Sequence, residues 1–124
     1  MGLDISFYRQ KKGEKPELIE VAYFRKHNWL LPFFEYGQNC SDKVIEKDEL
    51  EHFIETARQV LEASPDKRIE VAKEVLPTEA GFFFGDTEYD DYYFECLKKE
   101  IEAFEEILEE TDFETYEIIM NCWW

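Results

Sequence analysis

Residues 89–110 read YDDYYFECLKKEIEAFEEILEE, and their spacing decides what the rest of the chain has to pack against. Tyr93, Leu97, Ile101, Phe104 and Leu108 recur at three- and four-residue intervals, with Cys96 and Ile107 beside them. That period gives one apolar stripe on a long helix. The outer side carries Glu95, Glu102, Glu105, Glu106, Glu109 and Glu110. Asp86, Glu88, Asp90 and Asp91 gather near the N-terminus, where the helix dipole favours negative charge. Asp86 and Thr87 are the predicted caps, with Asp90 three residues after Thr87. Thr111-Asp112 breaks the helix.

A second helix is predicted over Glu49 to Ala63, where Leu50, Phe53, Ile54, Ala57, Val60 and Leu61 form one stripe. Asp48 is its expected N-cap and Glu51 the capping-box partner. Ser64-Pro65-Asp66 stops it, and Ser64 or Asp66 caps a short helix through Val71 to Val75 that ends at Leu76-Pro77-Thr78. Around these helices the period changes to two. Leu3 to Arg9 alternates, with Leu3, Ile5 and Phe7 on one side. A polar turn over Gln10 to Pro16 joins it to a second strand from Leu18 to about Ala22, with helix following; a helix from about Glu20 competes for the same residues. Trp29, Leu30, Phe33 and Phe34 suggest a helix from about Asn28, with Pro32 in its first turn and Gly37 as its terminator. Gln38 to Lys47 reads as loop with a short extended piece at Val44-Ile45. Glu79 to Gly85 is either a short buried strand or a tight aromatic loop. Thr115 to Trp124 is a terminal strand with Tyr116, Ile118 and Met120 on one face. No linker or internal repeat interrupts the chain. The expected fold is a single α+β domain over 1–124, with a small, mainly antiparallel sheet packed against two long helices.

The 124 residues suffice for a core without disulfides or metal, since a chain of this size buries roughly two-thirds of its unfolded surface. Aromatic residues make up 17% of the sequence, which points to dense ring clusters in that core. The formal net charge is −16. It is unevenly placed: residues 1–85 hold 16 acids against 12 bases, whereas residues 86–124 hold 14 acids against Lys98 and Lys99. Such a field disfavours direct nucleic-acid binding and anionic membranes and leaves a basic protein as the natural partner. No apolar run approaches the ~18 residues a membrane span requires. The N-terminus lacks a basic region followed by an apolar one, so no secretory signal is expected. It does fit the loose myristoylation pattern through Gly2 and Ser6, although Leu3-Asp4-Ile5 reads as the start of a strand. Cys40, Cys96 and Cys122 are odd in number and lack C-x-x-C spacing, which suits reduced thiols in a cytoplasmic compartment. A zinc site from these and from His27 and His52 requires distant segments to meet.

Three groups of residues are candidates for function. The first is the carboxylate array Glu95, Glu102, Glu105, Glu106 and Glu109. Like charges at helical spacing cost a few tenths of a kcal/mol per pair, so the array does not serve helix stability. It reads either as a surface for a basic partner or as the solvated face of an acidic protein. The second is Gly81 to Tyr93, a glycine-bounded aromatic loop entering a helix. Its acids exclude phosphate and leave Asp86, Asp90 and Asp91 as conceivable metal ligands, at a spacing that matches no EF-hand, and Tyr89, Tyr92 and Phe83 as stacking groups. The third is Tyr23 to Trp29, the only basic-aromatic cluster, in which Arg25, His27 and Asn28 offer a polar site and His27 an acid–base group. No nucleophile elbow, P-loop, zincin or dinucleotide motif is present, which leans against an enzyme, and no cofactor or metal is assigned. The Trp123-Trp124 end reads as docked aromatic surface, whereas exposure of the pair would point to a partner site.

At Met1 to Ile5, Ala22 to Trp29 and Gly81 to Asp90 the chain resembles a family of small uncharacterised proteins from bacteriophages, prophages and gut bacteria, and the similarity runs over most of the chain. The resemblance implies no activity. It implies a phage or mobile-element setting, a cytoplasmic home and an accessory role in engaging a host or phage factor. The leading functional expectation is a non-enzymatic protein that presents its acidic surface to a basic protein partner. The alternative is a small-ligand or metal-binding domain, with a site formed by Arg25, His27 and Asn28 on one side and Asp86, Tyr89 and Asp90 on the other. The sequence does not specify the oligomeric state.

Overall fold

The computed structural model describes residues 2–13, 18–81 and 84–124. Eight elements follow one another: β1 (Asp4–Lys11), β2 (Ile19–Arg25), α1 (Leu30–Phe33), β3 (Asp42–Ile45), α2 (Lys47–Glu62), α3 (Arg68–Val75), α4 (Asp91–Glu110) and β4 (Tyr116–Trp123). The four strands form one antiparallel sheet in the order β2-β1-β4-β3. The α+β class expected from the mixed periods is therefore the observed one.

The alternation in β1 turns Ile5 and Phe7 inward, and β4 opposes them with Cys122 and Met120. The rings of Phe7, Phe24, Phe34 and Phe53 all meet Phe104 of α4, mostly edge to face, with centroids 5.1–6.1 Å apart. This aromatic cluster joins the sheet to the helices and accounts for the aromatic-rich composition. α2 packs on both α3 and α4. The other face of the sheet, including Asp4, Ser6, Tyr8, Asn121 and Trp123, takes no part in this core.

Several boundaries differ from the sequence expectation. β2 continues as strand to Arg25 and does not turn into helix after Ala22, because each of its last residues has a partner on β1, ending with Arg25 opposite Asp4. The helix expected from Asn28 shortens to α1, and its left-handed terminator is Glu35 (φ 52), ahead of Gly37. The extended piece at Val44-Ile45 is the fourth strand, β3, starting at Asp42 and hydrogen-bonded to β4. α2 begins two residues early: Glu46 is its N-cap, not Asp48, and Glu49, not Glu51, accepts the Glu46 N–H at 3.2 Å. α3 begins at Arg68 without a side-chain cap, so neither Ser64 nor Asp66 serves as one. α4 starts at Asp91, after an N-cap at Asp90 whose carboxylate accepts the Tyr93 N–H at 3.1 Å; Asp86 and Thr87 lie too far upstream to cap it. In the aromatic loop, Gly81 and Phe84–Asp90 have no strand pairing and Phe84 is buried, while Phe82 and Phe83 lie outside the described residues. No helix among the described residues is long and apolar enough to cross a membrane.

Candidate functional site

The segment after β2 leaves the sheet at Lys26, which adopts a left-handed φ of 63° while its N–H bonds to Leu3 O at 2.8 Å. A non-glycine residue there costs about 1–2 kcal/mol. The turn sends His27, Asn28 and Trp29 inward, where they are 6%, 0% and 2% exposed. Each meets a buried polar partner. Asn28 donates to Phe84 O and Asp86 O, at 3.2 and 3.0 Å, and accepts from Glu79 N at 2.9 Å. Gly85 lies against this turn with φ 89, and a Cβ there would fall 2.9 Å from Lys26 Cβ. Only glycine fits both the conformation and the gap.

His27 and Trp29 meet a group that sequence reasoning passes over. Glu100 is 0% exposed, on the inward side of α4 between Leu97 and Phe104. His27 Nδ1 lies 2.6 Å from Glu100 Oε2, and the Trp29 indole N–H donates to both carboxylate oxygens at 3.0 Å. The imidazole is stacked between Phe24 and Trp29, with both centroids at 4.9 Å.

Burial pulls each of these groups toward its neutral form. For His27 that loss is more than offset by Cys96 and Glu100, and its pKa is raised from 6.5 to about 9. Burial likewise raises Glu100, against the opposing pull of His27 and Trp29. The His27 and Trp29 rings are thus both directed at the one Glu100 carboxyl group. The sequence did contain a signal for this pair: an acid at position 100 interrupts an apolar stripe that is otherwise continuous from Tyr93 to Phe104.

The carboxylate array is spread around the exposed side of α4. Glu95, Glu102 and Glu109, seven residues apart, form its outer ridge. Glu95 pairs with Lys98 at 2.9 Å. Glu105 leans toward α2, where it meets Arg58 at 3.0 Å. There it borders an open groove of about 660 Å³, lined by Glu51, Glu55, Glu62 and Arg58 at the rim and by Ile54 and Leu108. Glu106 faces the other way, over a smaller cavity beside Arg9 and Ile19 of the sheet edge.

Segments 25–29 and 84–93 do come together, through Asn28, but their members face different ways. Arg25 is exposed and lines a cavity of about 210 Å³ with Asp4, Trp123 and Trp124, away from His27. Asp86 accepts the Glu88 N–H, Asp90 caps α4, and the Tyr89 hydroxyl accepts the Thr78 N–H at 3.0 Å. No group of three or more His, Cys, Asp or Glu among the described residues is arranged to hold a metal ion. Trp123 is 62% exposed, while Trp124 packs edge-on against Tyr36 and Phe84. No family model, curated protein or solved structure matches the chain.

Proposed function

We propose that this chain is a non-enzymatic interaction protein whose acidic helical face receives a basic, amphipathic segment of a protein partner. The observation that carries the reading is the groove between α2 and α4. Its rim holds four glutamates against one arginine, and Ile54 and Leu108 give it apolar footing. A basic helix with one apolar stripe matches both features: its side chains cover Ile54 and Leu108 and its Lys and Arg residues meet the rim. Glu95, Glu102 and Glu109 extend the same field and steer approach. The resemblance to phage and prophage proteins supports a cytoplasmic host or phage factor as that partner.

Binding of a labelled Lys/Leu-patterned amphipathic peptide, followed by fluorescence anisotropy at low and high salt, tests this. The expected result is binding at low salt, weakened at least tenfold in the double variant Glu55→Lys/Glu105→Lys and weakened progressively by salt. Equal binding by the parent and the double variant would overturn the reading. The alternative, a small-ligand site between residues 25–29 and 86–93, is supported by the hydrogen bond from Asn28 to Asp86 O at 3.0 Å. It predicts that Arg25→Ala or Asp86→Ala abolishes ligand binding while the groove variants leave it unchanged.

A further inference from the structure

The two edges of the sheet are not alike. β3 forms one of them with four residues, among them Asp42 and Lys43, and the Lys43 ammonium donates to Phe34 O. A short, charged strand is the ordinary guard of an open edge. β2 forms the other with seven residues, IEVAYFR, and holds neither proline nor lysine. One side of β2 pairs with β1, and among the described residues no strand pairs with the other. Leu18, Ile19 and Tyr23 are each about half exposed, and all three lie on or beside this strand. A row of backbone N–H and C=O groups flanked by apolar side chains is a template for a further strand.

The order of residues along β2 sets which strand fits. Glu20, Tyr23 and Arg25 oppose Tyr8, Ser6 and Asp4 of β1, so all three belong to the sheet face away from the helices. The register shifts between Phe7 and Tyr8, which leaves Val21 as an extra residue between Ala22, opposite Phe7, and Glu20, opposite Tyr8. On that face an acid and a base therefore stand one pairing step to either side of a single tyrosine. Such an order is self-complementary. Laid antiparallel on a second copy about a two-fold axis at Tyr23, the strand sets Tyr23 against Tyr23 and Val21 with Ala22 against Phe24. Glu20 then meets Arg25 of the other copy, twice over. A parallel pairing loses both charge pairs, and a slip of one residue turns the three side chains to the wrong face. The strand carries one acid and one base, so this edge is neutral in a chain of net charge −16. The glutamates of α4, by contrast, repel a second copy. We propose that the outer edge of β2 is a self-association surface, through which two copies of this chain join their sheets into one of eight strands. The surface is separate from the groove between α2 and α4, so both contacts can form on one molecule.

Sedimentation equilibrium of the full chain from about 5 to about 500 µM, in about 0.15 M sodium chloride, reads the association. The expected result is monomer at the low end and dimer at the high end, with no larger species, because a two-fold pairing uses up the edge that makes it. Glu20→Arg sets bases against each other and Arg25→Glu sets acids against each other, and each should weaken dimerisation at least tenfold. The double variant Glu20→Arg/Arg25→Glu exchanges the charges and should return the dissociation constant to within about threefold of the parent's. A parent that stays monomeric throughout would overturn the proposal and leave the edge to a strand of another protein. A dimer equally tight in all the variants would place the contact elsewhere, and a double variant no tighter than the singles would refute the register; either result overturns the proposal. Should a variant fail to fold, hydrogen exchange in the parent decides. The fastest-exchanging amides of Ile19–Arg25 should then slow at least tenfold between the low and the high concentration, and equal rates would overturn the proposal.

Discussion

A carboxylate taken wholly out of water loses several kcal/mol of hydration, and Glu100 recovers it only through His27 and Trp29. The energetic link between these residues depends on pH. The folded-state pKa of His27 is raised, so its stabilisation is complete below about pH 6.5 and is lost as the pH climbs through about 9. Glu100, also raised, adds a decline of the same sign that begins from about pH 4.5. Urea unfolding should therefore show stability falling by up to ~3 kcal/mol between pH 6.5 and 9. In His27→Gln the deficit relative to the parent should be largest near pH 6 and shrink toward pH 9.5; a deficit independent of pH would refute the linkage. Phe104 belongs to the same scale. It is 0% exposed and meets four other phenylalanine rings, so Phe104→Ala should cost about 3–5 kcal/mol in the same assay.

Among the elements, α4 was the most legible and also held the largest omission. Its apolar stripe has a clean helical period, and that period survives folding because α4 packs along its whole length. Its start was less legible because Asp86, Glu88 and Asp90 all precede it within five residues. Asp90 caps it through the Tyr93 N–H, and Asp90→Ala should cost ~1 kcal/mol in thermal or urea unfolding, while Asp86→Ala should cost much less. Glu100 does not stand out by composition, because glutamate is the commonest residue on that helix, and only its place in the apolar stripe marks it. What buries it is the inward turn at Lys26, which no local pattern announces. β2 shows the same limit: Tyr23 and Phe24 favour a strand but Ala22 does not, and the segment stays extended to Arg25 because β1 supplies partners. β3 is four residues long, too short for periodicity to separate it from loop.

At the scale of the whole molecule, a net charge of −16 on 124 residues opposes compactness. Among the described residues, ion pairs join His27 with Glu100, Arg58 with Glu105 and Lys98 with Glu95. Added sodium chloride should therefore raise the melting temperature, steeply up to ~0.15 M and then more slowly as the Debye length falls below ~8 Å. A melting temperature that is flat or falls with salt would mean that the acidic face is not under repulsion. The same salt weakens the proposed groove interaction, so stability and binding should move in opposite directions. The α+β class was readable from the chain because the change of period between its ends and its centre is unambiguous. The order of strands was not, since pairing across more than 100 residues leaves no local trace.

That order matters for how the protein is made. β4 is the last strand to be synthesised, yet it lies inside the sheet, with β1 on one side and β3 on the other. A ribosome adding about 5–20 residues per second produces β1 roughly 5–20 s before its interior partner. For that interval the nascent sheet is a two-stranded hairpin at most, with the β1 edge that pairs with β4 open. Closure of the sheet therefore waits on the synthesis of β4, and a nascent chain arrested at Thr115 should be digested by dilute protease at sites that the chain carrying β4 protects.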